Sequence, residues 1–224
     1  MAARWTDGVP SVPRAFVRAH TRPVRPAIVP EVELLAAGDV VALWEAMEEH
    51  GRAMSEPPFW AAAWPGGQAL ARYVLDHPGL VAGRSVLDLG SGSGLVAVAA
   101  ALAGAVRVVA SEVDPYAVTA IGLNAERNGV PPIPVLGDVL GEEPPDVDVV
   151  LAGDVCYDRV MSDRVLPYLL AARGRGAEVL LGDPGRPYVP AERLTALATI
   201  DVPDTDPSSG APQQVRRTTV WRLP

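Results

Sequence analysis

Three acidic positions and one glycine-rich turn are where this sequence could do chemistry. In Asp88-Leu89-Gly90-Ser91-Gly92-Ser93-Gly94 a glycine stands at every second place. Such a turn doubles the backbone back and lets a ligand approach it with no Cβ in the way. Val86 to Leu89 reads as a buried strand, and the stretch from Leu95 to Gly104 as an Ala-rich helix whose free N–H groups point into the turn. Asp88, Gly90, Ser91, Gly92 and Gly94 are therefore expected to form a ligand cradle. The dinucleotide fingerprint G-x-G-x-x-G needs a glycine where this chain has Leu95, so a pyrophosphate cofactor is not expected.

The first acidic position outside the turn is Glu112, at the end of the strand Val106 to Ser111. A carboxylate there accepts hydrogen bonds from ribose hydroxyls. Asp114 nearby is read differently, as the N-cap of a helix opened by Pro115. Asp138 ends a third strand, Ile133 to Leu136, where it either meets a ligand or caps a turn. Asp154 and Tyr157 follow the fourth strand, Val147 to Ala152. The carboxyl end of that strand borders the glycine turn in a doubly wound sheet, at the crevice where ligands bind.

These positions need a scaffold, and the composition supports one. Apolar residues make up 49% of the 224, without an unbroken run of bilayer length, so no membrane association is expected. The net charge of −8 disfavours nucleic acid, whose binding depends on basic side chains. All nineteen basic residues are arginine, and the chain contains no lysine. One cysteine, Cys156, and three scattered histidines give neither a disulfide nor metal-ligand spacing. Arg4, Asp7 and Pro10 precede any apolar run, so no secretory leader is expected and a cytoplasmic location follows.

Read in order, residues 1–30 are rich in proline and arginine and suggest a flexible arm. Residues 31–78 form an N-terminal extension: Glu31 to Leu35 opens it, and Asp39 caps a helix that stops before Gly51. The aromatic segment Phe59-Trp60-Ala61-Ala62-Ala63-Trp64-Pro65-Gly66-Gly67-Gln68 leads into a second helix. Trp60 is assigned to the core and Trp64 to the border of the ligand site. Residues 79–224 form the α/β core, with a fifth strand Glu178 to Leu181 and the rigid loop Gly182-Asp183-Pro184-Gly185-Arg186-Pro187. The strands Leu197 to Val202 and Arg216 to Trp221 close it as an antiparallel hairpin.

The spacing D-x-G-x-G-x-G resembles motif I of the seven-stranded methyltransferases that use S-adenosylmethionine. Taken together and in order, the W-P-G-G-Q, V-L-D-L-G-S-G, G-D-V-C-Y-D and G-D-P-G-R-P segments are similar to the electron transfer flavoprotein β-subunit lysine methyltransferase family. The resemblance spans about residues 30–224 and implies a Rossmann-like seven-stranded sheet with helices on both faces. It implies S-adenosyl-L-methionine as cofactor, with its amino-acid end in the glycine turn, Glu112 on the ribose, and Asp138 and the Val139 N–H on the adenine. It places Asp154 and Tyr157 beside a substrate lysine of a protein, suspected to be the flavoprotein subunit itself. Two departures stand out: Ser111-Glu112-Val113-Asp114 replaces N-D-I-D, and the loop from Asp204 to Pro212 is unlike that of the animal enzymes.

A lysine amine, with a pKa of about 10.4, must lose its proton before attack, which costs about 4 kcal/mol at neutral pH. Desolvation lowers that pKa, whereas a carboxylate alone would raise it. Asp154 is therefore read as orienting the amine, with Tyr157 and Trp64 as channel wall, and Cys156 as buried filler. Three rival readings remain: a ribosomal-protein or small-molecule N-methyltransferase, a nucleic-acid amino-methyltransferase, and a cofactor-binding partner without turnover. The nucleic-acid enzymes carry two prolines where this chain has Val155-Cys156. Sequence leaves the oligomeric state open.

Overall fold

The computed structural model describes residues 12–50, 57–203 and 215–224. Seven strands form one sheet: β3 (Ser85–Leu89), β4 (Arg107–Ser111), β5 (Val135–Leu136), β6 (Val149–Gly153), β7 (Glu178–Asp183), β8 (Thr195–Pro203) and β9 (Val215–Leu223). Their spatial order is β5-β4-β3-β6-β7-β9-β8. The first five run parallel, and β9, between β7 and β8, is antiparallel to both. The expected closing hairpin is thus present.

Parallel strands are buried on both faces and so read as continuous apolar runs. In β3, β6 and β7 the two faces alternate. Leu87, Val150, Ala152 and Val179 pack with Val165 and Leu169 of α6 (Arg159–Gly174). On the opposite face Val86, Val149, Leu151 and Leu180 pack with α3 (Pro65–Asp76) and α4 (Leu95–Leu102). Ile121 and Ala125 of α5 (Pro115–Arg127) join that second cluster. Helices lie on both faces, as the sequence indicated. The strand order reverses between β3 and β6, which opens a crevice at their carboxyl ends.

The reading of residues 1–30 as a flexible arm is corrected where the structure describes them. Arg14–His20 forms α1, with Phe16 and Val17 buried. The Phe16 ring lies 5.1 Å from that of Tyr116 on α5, and the Val12 N–H donates to Thr119 Oγ1 at 3.2 Å. Two adjacent apolar residues suffice to seat so short a helix on α5, and that signal is hidden among prolines and arginines. Residues 1–11 and the whole Asp204 to Pro212 loop lie outside the described residues. The extension adds β1 (Arg22–Val24) paired with β2 (Leu34–Ala36), then α2 (Val40–Glu49), capped by Asp39 through the Val41 and Ala42 N–H groups. The third sheet strand is shorter than expected, because Pro134 has no N–H to donate to a ladder. Among the described residues no helix is long and apolar enough to cross a membrane.

Candidate active site

The glycine turn joins β3 to α4, and Gly90, Gly92 and Gly94 all have positive φ (65°, 55° and 82°). Beneath it lies Asp88, 1% exposed. Its Oδ2 accepts from Ser91 Oγ at 2.6 Å and from the Ala97 N–H at 3.0 Å, tying the turn to the first turn of α4. Asp88 and Ser91 therefore shape the cradle from behind, while Gly90 and Gly92 form its wall.

Burial pushes the Asp88 carboxyl up to about 7, against the pull of the Ser91 and Ala97 hydrogen bonds. An unfolded aspartate titrates near 3.9, so between about pH 4 and 7 the folded protein holds a proton that the unfolded chain releases. Stability from this residue is greatest at the acid end of that window and falls as pH rises through it. Thermal melts of Asp88→Asn should accordingly change less between pH 5 and 8 than those of the native chain. Parallel pH profiles for the two proteins would contradict this assignment.

Glu112 also lies on the wall. Its Oε2 accepts from the Gly92 N–H at 2.8 Å, and its Oε1 from the Val113 and Asp114 N–H groups at 2.7 and 2.9 Å. Burial raises its pKa while those N–H groups oppose the rise. Asp114 caps α5 through the Tyr116 N–H at 2.8 Å. Asp138 lines the cavity with one oxygen on Arg164 Nη2 (2.6 Å) and the other on the Leu140 N–H (3.0 Å). Val139 is buried in the core beside it, and Leu140 forms the wall instead.

Three sequence segments meet at the other end of the cavity by direct backbone contact. A Cβ on Gly66 would stand 2.2 Å from the Gly182 carbonyl oxygen, and one on Gly182 would stand 2.1 Å from that of Gly66. A Cβ on Gly153 would lie 2.7 Å from Gly67 Cα. Only glycine permits this approach. The crossing brings the Asp154 carboxylate to the N-terminus of α3, which has no side-chain cap of its own. Asp154 Oδ2 accepts from the Gly67 N–H at 2.7 Å and Oδ1 from Arg186 Nη1 at 2.6 Å. Burial pushes this carboxyl above the ordinary aspartate range, and Arg186 and the Gly67 N–H work against it. Each oxygen keeps one lone pair for a further donor.

The rim is aromatic. Phe59 lies 5.8 Å, centroid to centroid, from both Trp64 and Tyr157. Trp64 Nε1 donates to the Phe59 carbonyl at 2.6 Å, which fixes the indole. Trp60 is 2% exposed and belongs to the core, as read from the sequence. Cys156 is buried with its thiol pushed up by burial, the state of an inert side chain.

One cavity of about 640 Å³ unites Gly90, Gly92, Glu112, Asp138, Asp154, Trp64 and Tyr157. Asp88, Ser91, Gly94 and Val139 stand behind its wall. Two residues that the sequence reading passed over, Phe59 and Arg186, lie on it. Both sit inside segments already singled out, so their neighbours were the available signal.

Comparisons with known proteins find methyltransferases. A family model described as ribosomal protein L11 methyltransferase (PrmA) matches residues 69–155. The electron transfer flavoprotein beta subunit lysine methyltransferase of Mus musculus is 47% identical over 132 residues, covering 58% of this chain and 52% of that protein. Its Homo sapiens namesake is 40% identical over 177 residues, covering 78% and 67%. The chain thus spans about half the length of the mouse relative and two thirds of the human one. A crystal structure of magnesium protoporphyrin IX methyltransferase from Synechocystis, with SAM bound, has a TM-score of 0.51 at 13% identity, covering 70% of this chain and 78% of that one. At that identity the likeness speaks for the fold, a Rossmann-like methyltransferase sheet.

Proposed function

The chain belongs to the electron transfer flavoprotein β-subunit lysine methyltransferase family, and from that premise we propose that it transfers a methyl group from S-adenosylmethionine to a lysine of a protein. The suspected acceptor is the flavoprotein β-subunit, met in the cytoplasm. The observation that carries this reading is the single cavity joining the glycine turn and Glu112 to Asp154 and Tyr157. The residues suit the cofactor: side-chain-free backbone at Gly90 and Gly92, with a carboxylate at the end of the next strand. The sulfonium supplies a methyl group open to in-line displacement.

Everything else in the reaction falls to this chain's residues. Glu112 already accepts three N–H groups, leaving one lone pair, so it takes both ribose hydroxyls only by releasing one of them. Asp138, with the Val139 N–H, is assigned to the adenine, where Arg164 competes for its carboxylate. Phe59, Trp64 and Tyr157 strip water from the acceptor ammonium and lower its pKa, so that its proton passes to bulk solvent before attack. Asp154 then orients the neutral amine through a remaining lone pair, holding it at attack distance.

Glu112→Ala should weaken S-adenosylhomocysteine binding by about tenfold or more in calorimetry, the worth of a charge-assisted hydrogen bond. An unchanged affinity in the folded variant would hand the ribose to another residue. The family model ending at residue 155 favours a second reading, a different amine acceptor served by the same cofactor half. Labelled methyl transfer in a lysate separates the readings: a labelled protein supports the proposal, a labelled small molecule or nucleic acid replaces the acceptor, and absence of label leaves a binding protein without turnover.

A further inference from the structure

Arg186 is the guanidinium that neutralises two buried acids at once. Its Nη1 donates to Asp154 Oδ1 at 2.6 Å and to Asp183 Oδ2 at 3.1 Å. Its backbone N–H donates to Asp183 Oδ1 at 2.7 Å, so side chain and loop are held by the same carboxylate. Asp183 is 2% exposed, and the Asp154 side chain 10%. Two such carboxylates side by side are costly unless a cation is shared between them.

Asp154 carries a second constraint. At φ 58° it is the one non-glycine residue with positive φ among the described residues. An L-residue there is strained, and its surroundings must hold it in place. Three ties do so: its N–H to the Gly182 carbonyl at 2.9 Å, its Oδ2 to the Gly67 N–H, and its Oδ1 to Arg186. The backbone at Asp154 sets the course of Val155, Cys156 and Tyr157, and so the place of Tyr157 on the rim. The groups facing the carboxylate are Asp183 at the end of β7, Arg186 from the loop that follows, and the Gly67 N–H from α3. Arg186 is the cation among them.

We propose, building on the methyl-transfer reading above, that Arg186 is a positioning residue for that step: it fixes the Asp154 carboxylate and the turn leading to Tyr157 in the arrangement the acceptor amine meets. One nitrogen, Nη1, meets both acids, so a lysine ammonium can supply the same charge between them.

The test compares Arg186→Gln and Arg186→Lys with the native chain in single-turnover transfer from pH 6 to 9.5, alongside S-adenosylhomocysteine titration. Arg186→Gln should lose about tenfold to a hundredfold in rate at neutral pH, the scale of a misplaced reacting group. Removing a cation raises the pKa of the acid beside it, so the loss should shrink as pH rises and Asp154 ionises again. Cofactor affinity should stay within about threefold, and Arg186→Lys should recover most of the rate. A loss independent of pH, or a lysine variant no better than glutamine, would overturn the proposal.

Carbon-13 titration of the Asp154 carboxyl, assigned with Asp154→Asn, keeps this test separate from the methyl-transfer reading. Native protein that methylates nothing would sink that reading, yet an Asp154 titrating higher in Arg186→Gln would still support the pairing. Unchanged titration would remove it. If Arg186→Gln does not fold, Arg186→Met, neutral and of similar length, is titrated in its place with the same two outcomes.

Discussion

Asp154→Asn is expected to cut single-turnover methyl transfer by about a hundredfold, the cost of losing one well-placed polar group at a reacting centre. Affinity for S-adenosylhomocysteine should stay within about threefold, because the cofactor contacts are assigned to Glu112 and the glycine turn and not to Asp154. Asparagine is nearly isosteric and tolerates the left-handed backbone at this position, so the fold should survive. It still offers an oxygen to the Gly67 N–H or to Arg186, but it brings an amide where the amine requires an acceptor. Tyr157→Phe should be milder if the ring serves as a wall, and equally severe if its hydroxyl meets the amine. Full transfer by Asp154→Asn would take this residue out of the site.

The second large effect is at Gly182. An alanine there would place its Cβ 2.1 Å from the Gly66 carbonyl oxygen and 3.0 Å from Leu70 Cβ. The first contact is with backbone, which cannot rotate away as a side chain would, so the α3 tip must move off the sheet. Overpacking of this kind costs about 1–3 kcal/mol or more. In a chain of this length that lowers the melting temperature by roughly 2–12 °C. Transfer should fall with it, since the Gly67 N–H leaves Asp154. Gly122→Ala is the control: it lies in α5 with nothing within 4 Å of the added carbon, and should stabilise slightly. Equal melting temperatures for Gly182→Ala and the native chain would show that the interlock is not tight.

What could be read in the sequence follows from which signals are local. The glycine turn, the Asp39 and Asp114 caps and the apolar runs of the parallel strands are written within a few residues, and the structure contains them. The Asp88 role was harder to read, because a carboxylate beneath a turn and one facing a ligand have the same neighbours in sequence. Arg186 was missed for a different reason. Its partners Asp154 and Asp183 come from two strands, and only the sheet order places β6 beside β7. The same crossing explains why W-P-G-G, G-D-x-x-Y and G-D-P-G-R-P occur together: Gly66, Gly153 and Gly182 touch backbone to backbone. Residues 12–30 misled in the opposite direction, since composition speaks for disorder where Phe16 and Val17 are enough to dock a helix.

The central claim is methyl transfer to a protein lysine through this cavity. Its most direct measurement incubates the purified chain with labelled S-adenosylmethionine and recombinant electron transfer flavoprotein β-subunit from the same organism, then maps the label by mass spectrometry. The account predicts methylated lysine on the flavoprotein with the native chain and almost none with Asp154→Asn at equal cofactor occupancy. Label on a different protein would keep the chemistry and replace the acceptor. No methylated lysine on any protein, from a chain that binds S-adenosylhomocysteine, would contradict it.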